Sequence, residues 1–227
     1  MNRNEIGALE RPPAATRPGK GGRPSRAEAI RRDERLLDVA ANLFMERGFE
    51  STSIDAIAEV AGVSKPTVYA RYGDKRDLFA AVLRDRIRRW LAPLSAVAEA
   101  AEVNSQGIEK TLHNLSRDVL ALALTPECTT LRRIVVAQAI QFPDLAQLSH
   151  EEGWLRAVRA VEVLLREFEA RGEIKVKDPA IAADLFLNLV LGTSERLALY
   201  DIATDPKVQE QRRRAAVELF LAGVSGR

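Results

Sequence analysis

IDAIAEVAGVSKPTVYARYG, residues 54–73, reads as two short helices joined by a tight turn. Ile54, Ile57, Ala58 and Ala61 stand at i, i+3, i+4 and i+7, which is one apolar face of a helix. Thr52 or Ser53 can cap its start by accepting a backbone N–H that has no partner inside the helix. Gly62 follows the last apolar position, where a chain leaving a helix needs the positive φ that glycine adopts without strain. Ser64 caps a second helix, and Pro66 falls in its first turn, where a missing N–H costs no intrahelical bond. Ala58 is small enough to let the two helices cross closely, and Val68 can fill the angle between them. A short turn containing glycine between two such helices is the helix-turn-helix plan.

In that plan the start of the second helix meets base edges in a major groove. Lys65, Pro66, Thr67, Tyr69 and Arg71 cluster there. Lys65 and Arg71 can bond guanine acceptors or phosphate, Thr67 can contact either bases or backbone, and the Pro66 ring offers an apolar surface to a thymine methyl. Tyr69 can reach a phosphate through its hydroxyl. Asp74 caps the next helix and sets Lys75 beside that helix's first N–H groups, which makes a phosphate clamp. The competing reading is a helical hairpin in an ordinary α-helical domain. The basic and hydroxyl content of the second helix weighs against it.

Outward from this core, residues 33–47 form a supporting helix, with Leu36, Val39, Ala40, Leu43 and Phe44 as its apolar stripe and Gly48 as its end. Residues 1–30 are rich in Arg, Pro, Gly and Ala without apolar periodicity, and read as a flexible basic arm. Within the arm, Arg23 lies in an extended Gly- and Pro-flanked segment suited to a narrow minor groove. A solvated linker is the alternative. On the other side a helix runs from Asp74 to about Trp90, and Pro93 is expected to end or kink it. Further helices follow over 106–124, 128–141, 143–171, 179–200 and 206–222, with Pro126, Pro143, Gly172, Pro179 and Pro206 between them and Gly153 a local weak point. No strand-like alternation persists. The predicted fold is all-α: a helix-turn-helix unit over 31–79 and a larger helical unit over 80–227.

Charge agrees with this division. Residues 1–90 hold 18 Lys and Arg against 13 Asp and Glu, whereas the rest hold 16 against 19. The basic excess sits with the proposed DNA-reading end, as an electrostatic footprint requires. A single cysteine, Cys128, excludes an intrachain disulfide and a multi-cysteine zinc site, and suits a reducing compartment. No apolar run is long enough for a membrane span, and the N-terminus lacks the apolar segment of a signal peptide, so a cytoplasmic location is expected.

The run LLDVAANLFMERGFESTSIDAIAEVAGVSKPTVYARYGDKRDLF, residues 36–79, resembles the DNA-binding domain of the TetR family of bacterial transcriptional regulators. Phe44, Gly48, Thr52, Ile57, Ala58, Ala61, Gly62, Val63, Tyr69, Tyr72, Lys75 and Leu78 stand at the matching positions; Tyr72 departs from the family's more frequent Phe. RRIVVAQAIQFPDLAQ (132–147) and DPAIAADLFLNLVLG (178–192) resemble the ligand-binding half of such regulators, of the AefR-like branch. The resemblance implies that Lys65 to Arg71 face DNA and that Lys75 grips phosphate. It also implies that a small-molecule effector controls binding. With Arg23 and Thr52 added, the expected DNA-facing set is Arg23, Thr52, Lys65, Pro66, Thr67, Tyr69, Arg71 and Lys75.

Two features of the helical body bear on partners. Between Ile181 and Leu191 only Asp184 and Asn188 are polar. A helix apolar around most of its girth is buried on more than one side. Either it is a central intramolecular helix or it packs on its own core and on a second copy. The resemblance favours a two-fold dimer through the last two helices, with Leu185, Leu189, Leu219 and Phe220 at the contact. Large apolar residues on the middle helices, Trp90, Phe142, Trp154 and Phe186 among them, describe either a filled core or an effector pocket.

Nothing points to catalysis or a cofactor. There is no Gly-x-Ser-x-Gly, no phosphate-binding glycine loop and no metal-binding His pair, since His113 and His150 stand alone. The expected function is a sequence-specific DNA-binding regulator, a repressor released from a palindromic operator by a largely apolar ligand. The alternatives are a ligand-independent nucleoid-type protein and an all-α enzyme.

Overall fold

The computed structural model describes residues 26–99 and 107–224, with side chains of 94–99 outside that description. Helix α1 spans Arg26–Ser51, α2 Ile54–Ala61, α3 Lys65–Tyr72 and α4 Lys75–Glu99. Then come α5 Ile108–Ala123, α6 Pro126–Gln138, α7 Pro143–Leu148, a π-helical turn Ser149–Trp154, α8 Leu155–Ala170, α9 Pro179–Leu199 and α10 Pro206–Val224. Every described element is helical.

Two boundaries differ from expectation. Helix α1 starts at Arg26, so residues 26–30 belong to it and not to an arm. All five are exposed and so carry no apolar periodicity, but Arg, Ala and Glu are good helix formers. The rest of the expected arm, Arg23 included, lies outside the described residues. Helix α4 continues through Pro93 to Glu99 rather than ending there. The proline costs one backbone bond, and the helix bears that loss. As expected, α1 loses helical geometry at Gly48, whose φ of 77° lies in the left-handed region.

The apolar residues form two cores. The first joins the helix-turn-helix to the body without a linker: Phe44, Phe49 and Phe79 from the head pack with Leu131, Ile134 and Leu145 from α6 and α7. Phe44 lies 5.0 Å from Phe79 edge to face, and Phe49 lies 5.6 Å from Phe142 on the body side. The boundary expected at residue 80 therefore runs through one continuous core. The second core, from α5, α8, α9 and α10, holds Leu112, Phe168, Phe186, Leu187 and Val217. Arg213, buried on α10, ties this core to α5 by donating to the His113 carbonyl at 2.9 Å and to Ser116 Oγ.

A buried polar network joins head to body beside the first core. Arg86 on α4 bonds Asp38 of α1 at 2.8 Å, and its Nε lies 2.8 Å from Glu127 of α6 at an angle that misses a hydrogen bond. Its neighbour Asp85, almost fully buried, is held by Arg88 and Arg89 at 2.5 and 2.9 Å. Burying these charges is tolerated because each has an opposite partner.

Candidate nucleic-acid interface and internal cavity

The helix-turn-helix is built as its sequence dictates. Ser53 Oγ accepts the Ala56 N–H at 3.1 Å and so caps α2. Gly62 closes α2 with a φ of 69°, and Ser64 Oγ caps α3 by accepting the Thr67 N–H at 3.3 Å. Within α3 only Val68 is fully buried, and it anchors the helix to the core. Lys65, Pro66, Thr67, Tyr69 and Arg71 are all exposed. The face opposite the anchor is thus basic, hydroxyl-bearing and free of contact with the body.

Each cation of that face already has a carboxylate beside it. Lys65 Nζ lies 2.8 Å from Asp55, and Arg71 lies 2.6 Å from Asp33. The Asp55 hydrogen bond and charge hold the Lys65 ammonium above its usual pKa. Tyr72 donates to the same Asp33 at 2.5 Å, and its burial, followed by that bond, raises the phenol pKa strongly. Asp74 Oδ1 caps α4 at the Asp77 N–H, 2.7 Å away. Lys75 follows it, with its ammonium 3.0 Å from the Glu50 carbonyl, 4.0 Å from the Glu50 carboxylate and 4.6 Å from the Phe49 ring centre. All three contacts hold the ammonium itself, against the last residues of α1.

Between the two cores lies a cavity of about 1200 Å³. Leu83, Ile87 and Leu131 wall it from the head side, and Leu115, Leu187 and Leu191 from the other. The π-helical turn contributes Ser149, His150, Gly153 and Trp154. Such a turn widens a helix locally and is found disproportionately at functional sites. Both tryptophans of the chain, Trp90 and Trp154, line the space. The indole N–H of Trp90 donates to Glu127 at 3.4 Å and that of Trp154 to Asp184 at 2.7 Å.

Residues 36–82 match the model of bacterial regulatory proteins of the tetR family, and residues 110–223, half of the chain, match the C-terminal domain of AefR-like transcriptional repressors. The chain belongs to the TetR family. Its members and relatives are DNA-binding transcriptional regulators, not enzymes. A TetR-family regulator from Mesorhizobium loti superposes with a TM-score of 0.81 at 27% identity, over 87% of this chain and 98% of that one. The flavonoid-responsive regulator FrrA superposes with a TM-score of 0.70 at 28% identity, over 87% and 99%. RutR of Escherichia coli K12 is 40% identical over 78 residues, 34% of this chain. The chain thus matches only 36% of RutR's length.

Within this TetR-family frame several expected site residues fall elsewhere. Thr52 is 1% exposed, and its hydroxyl donates towards the Leu43 and Gly48 carbonyls at 3.1 and 2.7 Å. It secures the turn between α1 and α2 and offers nothing to a duplex. Of the four expected cavity residues only Trp90 and Trp154 line it. Phe142 packs on Phe49, and Phe186 is fully buried against Phe220 with ring centres 5.1 Å apart. That contact also removes Phe220 from the surface. Leu185, Leu189 and Leu219 remain exposed at 54%, 44% and 63%, with Ile181 at 58% one turn before Leu185. The sequence reading missed Arg132 and Glu195, which line the cavity as an ion pair of 2.6 Å. No periodicity signals a pair so far apart in the chain. Among the described residues no cluster is arranged to hold a metal and no helix is long and apolar enough to cross a membrane.

Two substitutions separate positioning from reading. Lys75→Met keeps an unbranched side chain and removes the charge that lies over Phe49. It is expected to weaken binding to all sequences alike and to flatten the log–log salt slope by about 1. Thr67→Ala is expected to relax preference at particular operator positions by about 1–3 kcal/mol. Fluorescence anisotropy across salt and across operator variants measures both. A change of base preference in the lysine variant, or none in the threonine variant, reverses the two roles.

Proposed function

We propose that this chain is a one-component repressor acting in the cytoplasm. A two-fold dimer sets two α3 helices on successive major grooves of a palindromic operator, and a small, largely apolar ligand in the cavity releases it. The observation that carries the reading is α3 itself, buried through Val68 and exposing Lys65, Pro66, Thr67, Tyr69 and Arg71. The exposed leucines of α9 and α10 support the dimer, since contiguous apolar surface marks contact sites. The match to a repressor C-terminal domain supports repression, and the flavonoid response of FrrA supports effector control on this fold.

Release follows from linkage. Two heads reading one face of a duplex need centres about 34 Å apart, or a multiple. A ligand that binds better to a dimer with another spacing must weaken DNA binding. A hundredfold loss of affinity requires only about 2.7 kcal/mol of differential binding. A line of contacts from cavity to head supports it: Trp90 lines the cavity and donates to Glu127, which pairs with Arg86, which bonds Asp38 in the head. Footprinting of purified protein on genomic fragments tests the proposal. Protection of a discrete palindrome is the expected result. Uniform coating of any duplex supports the nucleoid-type alternative, and absence of binding removes the regulator reading.

A further inference from the structure

The cavity is apolar, yet four formally charged side chains line it, and their signs cancel: Arg117, Asp118, Arg132 and Glu195. Arg117 and Asp118 are exposed residues of α5. Arg132 and Glu195 are not. Their side chains are only 30% and 18% exposed, and they meet across the cavity wall from α6 and α9 at 2.6 Å. On α6 the pair is preceded one turn earlier by Cys128 and on α9 by Leu191, both of which line the cavity. Cys128 adds no third charge, because burial raises its thiol pKa against the opposing pull of Arg132.

Apart from Ser149 and the exposed His150 on the π-helical turn, the uncharged polar side chains of the lining are already engaged. Both indole N–H groups are spent on carboxylates, so the tryptophans offer the cavity ring surface and no donor. Thr111 donates to the Gly107 carbonyl, and Asn114 accepts from Arg117. The Arg132–Glu195 pair therefore stands out as a polar feature set among apolar walls. Its guanidinium has N–H groups beyond the one facing Glu195, and the carboxylate has a second oxygen.

We propose that the effector is an uncharged aromatic molecule whose hydroxyl group rests on the Arg132–Glu195 pair, accepting from the guanidinium and donating to the carboxylate. The inference rests on the reading of the cavity as the effector site. A carboxylate ligand on the spare N–H groups would set a second anion beside Glu195 with one guanidinium to neutralise both, and an ammonium on the second carboxylate oxygen would set a second cation beside Arg132. Either leaves one charge uncompensated in a largely buried site, which is costly. A hydroxyl satisfies both partners without separating them, and the two indoles reward a flat, aromatic body.

A matched set of biphenyls tests this on the full-length protein: 4-phenylphenol, 4-phenylbenzoate, 4-phenylbenzylammonium and 4-methoxybiphenyl, which accepts but cannot donate. Binding is followed by calorimetry and by quenching of the two tryptophans. The phenol is expected to bind at least tenfold more tightly than either ion and several-fold more tightly than the ether. Replacing both partners together, Arg132→Met with Glu195→Met, leaves no stranded charge and is expected to abolish the phenol's advantage over the ether. A carboxylate or ammonium that binds as well as the phenol overturns the inference and leaves the cavity a binding site. An advantage that survives the double substitution overturns the assignment to this pair. No heat and no quenching with any of the four removes the effector-site reading itself.

Discussion

Replacing Leu185 and Leu189 together by glutamate is expected to split the proposed dimer and to lower operator affinity at least a hundredfold, or about 2.7 kcal/mol. The two leucines follow Ile181 along one exposed stripe of α9, at 54% and 44% exposure. On the opposite side of the same helix, Ala183, Phe186, Leu187 and Val190 are buried in the second core. The stripe can therefore be changed without touching that core, and the isolated subunit should keep its helical circular dichroism and its melting temperature within a few degrees. Two carboxylates pressed into an apolar contact lose their hydration without gaining partners. Once the copies part, the second head no longer binds at the effective concentration set by the first. Sedimentation velocity and a gel-shift titration on the same operator read the two effects separately. A variant that stays dimeric and binds normally would place the contact on another face.

Phe44→Ala is the largest stability change expected in the head, about 3–5 kcal/mol. Its ring is fully buried, 5.7 Å from Phe49 and 5.0 Å from Phe79. Those neighbours come from α1 itself and from α4, so a cavity here has rigid walls on both sides and cannot collapse cheaply. The same core supports Ile57 and Val68, on which α2 and α3 rest. Operator binding should therefore fail at temperatures where the second core is still folded. Urea denaturation followed by circular dichroism measures the loss. Phe142→Ala, at a half-buried ring on the rim of the same cluster, should cost distinctly less. Equal losses from the two would mean that the aromatic cluster is not the head's mechanical centre.

The helix-turn-helix was legible in the sequence because its information is local. Ser53, Gly62, Ser64 and Val68 each perform a task defined by neighbours within a few residues: a cap, a left-handed exit, a second cap and an anchor. The body was legible only as helices. An apolar stripe shows that a face is buried but not what it meets, so Phe142, Phe186 and Phe220 looked the same as Trp90 and Trp154. Thr52 misled for a related reason. A threonine beside a DNA-reading helix suits a phosphate contact as well as a turn, and only its burial decides. The bonds that shape the cavity, Arg132 with Glu195 and Trp154 with Asp184, join residues many turns apart and leave no periodic trace. Residues 26–30 failed in the opposite sense, forming a helix with no buried face to reveal it.

If α3 and Lys75 face DNA as proposed, the pairing of Lys65 with Asp55, Arg71 with Asp33 and Lys75 with Glu50 has a kinetic meaning. A genome is an immense excess of wrong addresses, all equally anionic. A head with bare cations would linger at each, because counterion release rewards any phosphate. On the proposed DNA-facing reading, each of these three cations must first leave an internal carboxylate to grip the backbone, so a chance encounter ends quickly and the search moves on. Only where base edges add their own contribution does the exchange become worthwhile, and dwell time then reports sequence more than charge.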